Sequence, residues 1–176
     1  MRTIMKRSFQ IKAALLFAFA LLTVTFAKAQ DKPIASPRDS VSGKVAGSTI
    51  TINYGSPSVK GRKIWGGLEA YGKVWRAGAN EATTFTTTKA IKVEGKALAA
   101  GTYGFFLIPA ESGTWTVIFN KVAKQWGAFK YDEKQDALRV TVKGKTAAKH
   151  ERLVYTVSAK GFSLLWDTVE VPVSVK

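Results

Sequence analysis

Cysteine is absent from this chain of 176 residues, and histidine occurs once, as His150. Without cysteine there is no disulfide framework, redox thiol or thiolate metal site, and one histidine cannot build a multi-histidine centre. No cofactor and no metal are therefore expected. Acidic side chains are few, 12 against 27 basic ones, which leaves a net charge of +15. Past the first 26 residues no apolar run approaches the length of a membrane-crossing helix, so no membrane span is expected. Catalytic signatures are scarce too. Gly161-Phe162-Ser163-Leu164-Leu165 comes nearest to a nucleophile elbow and lacks its second glycine. Gly144-Lys145-Thr146 has Arg139 where a phosphate-binding loop needs its first glycine, and reads as a hairpin turn. Nothing nominates a nucleophile or an orienting acid for His150, which reads as a surface residue.

What is present begins with an address. Arg2, Lys6, Arg7 and Lys12 precede an apolar run from Ala13 to Leu22, extended by Val24 and Phe26, and Ala27-Lys28-Ala29 has the small-x-small pattern a signal peptidase reads. Residues 1–29 are expected to be a cleaved signal peptide, making the protein periplasmic or extracellular. The remaining 147 residues suffice for one domain with its own core. The signal holds five basic residues and no acidic one, so the rest keeps a charge of about +10. Such a balance invites nucleic acid. Export and the scatter of the lysines argue against it, leaving anionic cell-envelope components as partners, or lysines that keep exposed strand edges apart.

Residues 30–39, with Pro33 and Pro37, read as an extended leader, and 40–176 as a single β domain. Ser48 to Tyr54 alternates with Ile50, Ile52 and Tyr54 on one face, the pattern of a half-buried strand. Thr84–Thr88, Ala90–Glu94, Thr102–Ile108, Thr114–Asn120, Leu138–Lys143, His150–Ser158, Phe162–Trp166 and Val169–Val175 follow with turns between them. Thr102–Ile108 is apolar on both faces and so central, while Pro172 marks its strand as an edge. About eight or nine short strands and no long amphipathic helix predict an all-β antiparallel sandwich, of jelly-roll type.

Between Val59 and Thr83 periodicity is lost, with a short helical turn expected at Leu68-Glu69-Ala70. A connection of this length inside a compact domain is functional or pinned by its own aromatics. Its densest part is Gly72-Lys73-Val74-Trp75-Arg76-Ala77-Gly78-Ala79-Asn80-Glu81-Ala82-Thr83. In one reading Trp75 plugs the end of the sandwich and Arg76 pairs with Glu81 across a turn that Asn80 tolerates. In the other, Arg76, Asn80 and Glu81 converge on a polar small molecule or glycan. Trp65, Trp75 and Trp126 all lie in glycine-flanked segments, as exposed faces for sugar rings or peptides or as caps folded onto the core. Arg62 would add an anion contact.

The run Tyr54…Pro57…Lys60-Gly61-Arg62, Tyr71-Gly72-Lys73-Val74-Trp75-Arg76-Ala77-Gly78-Ala79-Asn80-Glu81-Ala82-Thr83 and Ala100-Gly101-Thr102-Tyr103 resembles the exported bacterial proteins catalogued as domain of unknown function 2911. The resemblance covers the chain from about Ser36 to the last strands. It implies an exported single-domain β protein and brings no established activity or catalytic residue. The residues support a non-enzymatic binding or accessory domain with Arg62, Trp75, Arg76, Asn80, Glu81 and Trp126 as site residues. The alternative is a glycan hydrolase using Glu81 with Asp132, Glu133, Asp136 or Asp167 as the second carboxylate.

Overall fold

The computed structural model describes residues 34–176. The signal peptide expected at 1–29 lies outside the described residues. Ten strands follow: β1 (Arg38–Val45), β2 (Ser48–Gly55), β3 (Thr83–Thr87), β4 (Ile91–Val93), β5 (Lys96–Leu98), β6 (Gly101–Ile108), β7 (Thr114–Asn120), β8 (Asp136–Lys143), β9 (Lys145–Ser158) and β10 (Gly161–Ser174). One turn of 3-10 helix, Glu133–Gln135, precedes β8. In place of the helical turn expected at Leu68–Ala70, Leu68 lies in a turn and Glu69 bridges to Trp65.

All pairing between these strands is antiparallel. A six-stranded sheet runs in the order β1-β2-β3-β6-β7-β8, the β9–β10 ribbon forms the facing layer, and β4–β5 is a small separate hairpin. The order is that of a meander, without the crossed connections of the expected jelly roll. Strand β1 begins inside the stretch taken as leader. It has only Val41 and Val45 as large apolar residues, too few for the alternation to show.

The alternating side chains of β2, β3, β6, β7 and β8 meet those of β9 and β10 in one continuous core that includes Ile50, Ile52, Phe85, Phe105, Phe119, Leu153, Phe162 and Leu164. Burying each large side chain there contributes about 1.5–3 kcal/mol. Strand β6 is covered on both faces, as its sequence predicts. Its outward Phe106 joins Ala82 and Ile118 in a second, small cluster over which Val74, Ile108, Ala128 and Tyr131 pack. The β7–β8 connection therefore lies across the outer face of the large sheet. Gly104 marks the crossing, where a Cβ would stand 2.6 Å from the Val122 carbonyl oxygen.

Candidate functional site

The motif around Trp75 is built first by close approach of two backbones. Gly55 ends β2 against Ala79, where an added Cβ would lie 2.1 Å from the Ala79 carbonyl oxygen. Ala79 N–H donates to Gly55 O (3.2 Å), and Ala77 and Asn80 adopt left-handed φ of 53° and 65°. The resulting corner consumes its own polar groups. Ala77 O accepts from the Thr83 hydroxyl (2.9 Å) and from the Tyr155 hydroxyl (2.7 Å), and Trp75 Nε1–H donates to Gly78 O (3.1 Å). Burial raises the Tyr155 hydroxyl pKa well above its ordinary value, so it stays a proton donor.

Trp75 is 4 % exposed and stacks on Trp166 at 5.8 Å between centroids. Trp65 meets Trp75, Trp115 and Trp166 edge-on at 5.6, 4.7 and 5.7 Å. Trp75 offers no face to a ligand, and Trp65, though buried, reaches only the wall of a small cavity of about 190 Å³ beside Tyr71 and Trp115. Both fold back into the core because an indole flanked by glycines buries more apolar area there than at any surface position. Asn80 does take the left-handed turn its residue type allows. Its Nδ2–H, however, donates to Ser36 O (3.1 Å), tying the domain's first residues to the corner.

Arg76 does not pair with Glu81. Among the described residues the basic partner of Glu81 is Arg38, at 3.8 Å, and both side chains are about half exposed. Arg76 and Arg62 instead act on Glu69, both favouring its charged form. Burial pushes the Glu69 carboxyl up to about 7, against the pull of Arg76 and Arg62 toward the charged form. Desolvation wins because neither guanidinium makes an ion pair with it: Arg62 is engaged by Val59 O (3.0 Å) and Ser58 O (2.5 Å), and Arg76 Nε is buried with no hydrogen-bond partner. The six residues thus divide into a charged cluster at Arg62 and Arg76, a structural corner at Trp75 and Asn80, and a surface pair at Glu81 and Trp126.

Glu81 borders a groove of about 450 Å³ between the outer face of β1–β3 and the β7–β8 connection, lined also by Arg38, Asn53, Thr84, Lys124 and Gln125, with Trp126 outside that lining. Asn53 and Thr84 are register partners on β2 and β3, which places both on the same outward face. Ala82 N–H donates to Gln125 O (2.9 Å) and Gly127 N–H to Asn80 O (3.1 Å), joining the motif to the connection. Between these bonds Glu81 and Trp126 are paired directly opposite each other, so their side chains leave the chain on one side. Trp126 is 61 % exposed, with Phe129 at 86 % close by in the same connection. Gln125 donates its amide to Val122 O (3.0 Å), whereas its buried Oε1 has no partner among the described residues.

Residues 36–175 match the model of a family described as a protein of unknown function, DUF2911. This chain belongs to that family. No curated protein and no solved structure matches it. Within this DUF2911 chain the acids weighed as second carboxylates have other engagements. Asp136 accepts from Arg139, Tyr131 and Asn120, Glu133 faces Arg139 at 3.3 Å, and Asp132 caps the 3-10 turn through Lys134 N–H. None of them, nor Asp167, lines the groove, where Glu81 is the one carboxylate.

Proposed function

We propose that this DUF2911 chain is an exported, non-catalytic binding domain whose groove beside Glu81 takes a neutral, hydroxyl-rich ligand of the glycan class. The observation that carries the reading is a groove lined by Gln125, whose buried Oε1 lacks a donor among the described residues, with the exposed indole of the next residue, Trp126, standing outside its rim. An unmatched buried acceptor costs about 1–3 kcal/mol, and an exposed tryptophan forgoes the gain of burial. A sugar ring offsets both, with a hydroxyl donating to the amide and a ring face resting on the indole. Asn53, Thr84 and the Arg38–Glu81 pair supply donors and acceptors for hydroxyl groups, and Lys124 adds one cation to the lining.

The hydrolase reading has less behind it. Glu81 is exposed, already faces Arg38, and has no second carboxylate across the groove, whereas glycoside hydrolysis uses two acids set about 5–10 Å apart. Calorimetric titration with neutral gluco-, xylo- and chito-configured tetrasaccharides tests the proposal. At least one is expected to bind, with Trp126→Ala and Gln125→Ala each weakening it about tenfold or more at unchanged melting temperature. Binding by none, or equal binding by the Trp126→Ala protein, would overturn it.

A further inference from the structure

The two flanks of the sandwich are closed differently. On one, Val59 N–H donates to Glu151 O (2.7 Å) and Leu153 N–H to Pro57 O (2.9 Å), stitching the segment after β2 to β9. On the other, β8 is the last strand of its sheet and pairs only with β7. Among the described residues no backbone hydrogen bond joins β8 to β10, although the two face each other across a slot of about 480 Å³. The slot is bounded at one end by the β4–β5 hairpin, where Glu94 N–H donates to Ser174 O (3.0 Å) and Lys96 Nζ to Arg139 O (3.4 Å).

Its lining has two parts. Val142, Phe162 and Val173 are buried and give it an apolar floor, while Lys143, Lys145 and Lys160 give it a cationic rim. The one carboxylate present, Glu94, has its Oε1 engaged by Ser174 N–H (2.5 Å). An edge lysine that only repels other sheets needs to stand on the edge strand alone. Here the three come from the end of β8, the start of β9 and the β9–β10 turn, and they surround one slot. A free ladder edge, an apolar floor for alternate side chains and a rim of one charge are together the requirements for capturing an extended chain of opposite charge.

We propose that the slot between β8 and β10 receives an extended acidic peptide segment, added as a strand on β8. This site is separate from the groove at Glu81 and does not depend on it. The test titrates ¹⁵N-labelled protein with the peptide acetyl-Glu-Val-Glu-Val-Glu-amide. Its lysine counterpart, two versions N-methylated on alternate amides in opposite registers, and inorganic pyrophosphate serve as comparisons. The acidic peptide is expected to shift the amides of residues 138–143. One N-methylated register should bind at least about tenfold more weakly than the other, because only one set of amides meets the ladder. Lys143→Ala with Lys160→Ala should weaken binding by a similar factor, and Lys44→Ala with Lys121→Ala should leave it unchanged. Three results would overturn the proposal: no acidic-peptide binding, equal binding of both N-methylated registers, or pyrophosphate reproducing the same shifts with the same affinity.

Discussion

Two tryptophan-bearing loops of this molecule look alike on paper and end in opposite environments. Trp75 and Trp126 both sit in irregular segments beside glycine, and the two loops are bonded to each other through Asn80, Ala82, Gln125 and Gly127. The first turns into the mouth of the sandwich, where Trp166 and Tyr155 receive it, and its carbonyls at Ala77 and Gly78 are matched. The second crosses the outside of the sheet, where Phe106 and Ile118 offer only a small apolar patch. Its largest side chains stay in water because that patch is already filled by Ala128 and Tyr131. The partner surface, rather than the loop's own composition, decides which tryptophan becomes core and which stays in water.

Truncation sharpens the contrast most. Trp75→Ala is expected to cost about 3–5 kcal/mol through the cavity it leaves, and Trp126→Ala less than about 0.5 kcal/mol, both measured by denaturant unfolding. Comparable losses would erase the distinction between the loops. Next in size is Tyr155→Phe, which removes one of the two donors to Ala77 O and is expected to cost about 1–3 kcal/mol while leaving oligosaccharide titrations unaltered.

The smallest effect concerns pH. Glu69 has a folded-state pKa of about 7, above its ordinary value of 4.5, so the folded chain binds more protons than the unfolded one between those values. Its contribution is thus most favourable below about pH 4.5 and is lost as pH rises through about 7. The shift, discounted for partial exposure, corresponds to about 1–2 kcal/mol. Glu69→Gln is expected to flatten that decline, and an unchanged slope in unfolding curves between pH 4.5 and 7.5 would remove Glu69 as its source.

The strands were legible wherever one face is apolar: Ile50, Ile52 and Tyr54 in β2, or Val140 and Val142 in β8, announce their periodicity. Strand β1 was not, since an edge strand with polar side chains on both faces carries no alternation to read. Strands β9 and β10 read as shorter pieces because register shifts between Leu165 and Val169 interrupt the pattern within one continuous ribbon. At the site, the motif was visible and its use was not. The Tyr155–Ala77 bond spans 78 positions, and the Arg38–Glu81 pair joins a strand without an apolar signature to the loop. Glu69, Gln125 and Arg38 went unnoticed because each is an ordinary polar residue until distant chain surrounds it. The exposure of Trp126 was legible only as one of two alternatives.

The small cluster under the β7–β8 connection has a further consequence. Phe106 and Ile118 point away from the main interior, so the sheet itself insulates whatever rests on them from the rest of the fold. The segment seated on that island is held there from its side as well, since Ala82 N–H donates to Gln125 O and Gly127 N–H to Asn80 O, so it shares its anchorage with the Trp75 corner rather than with the main core.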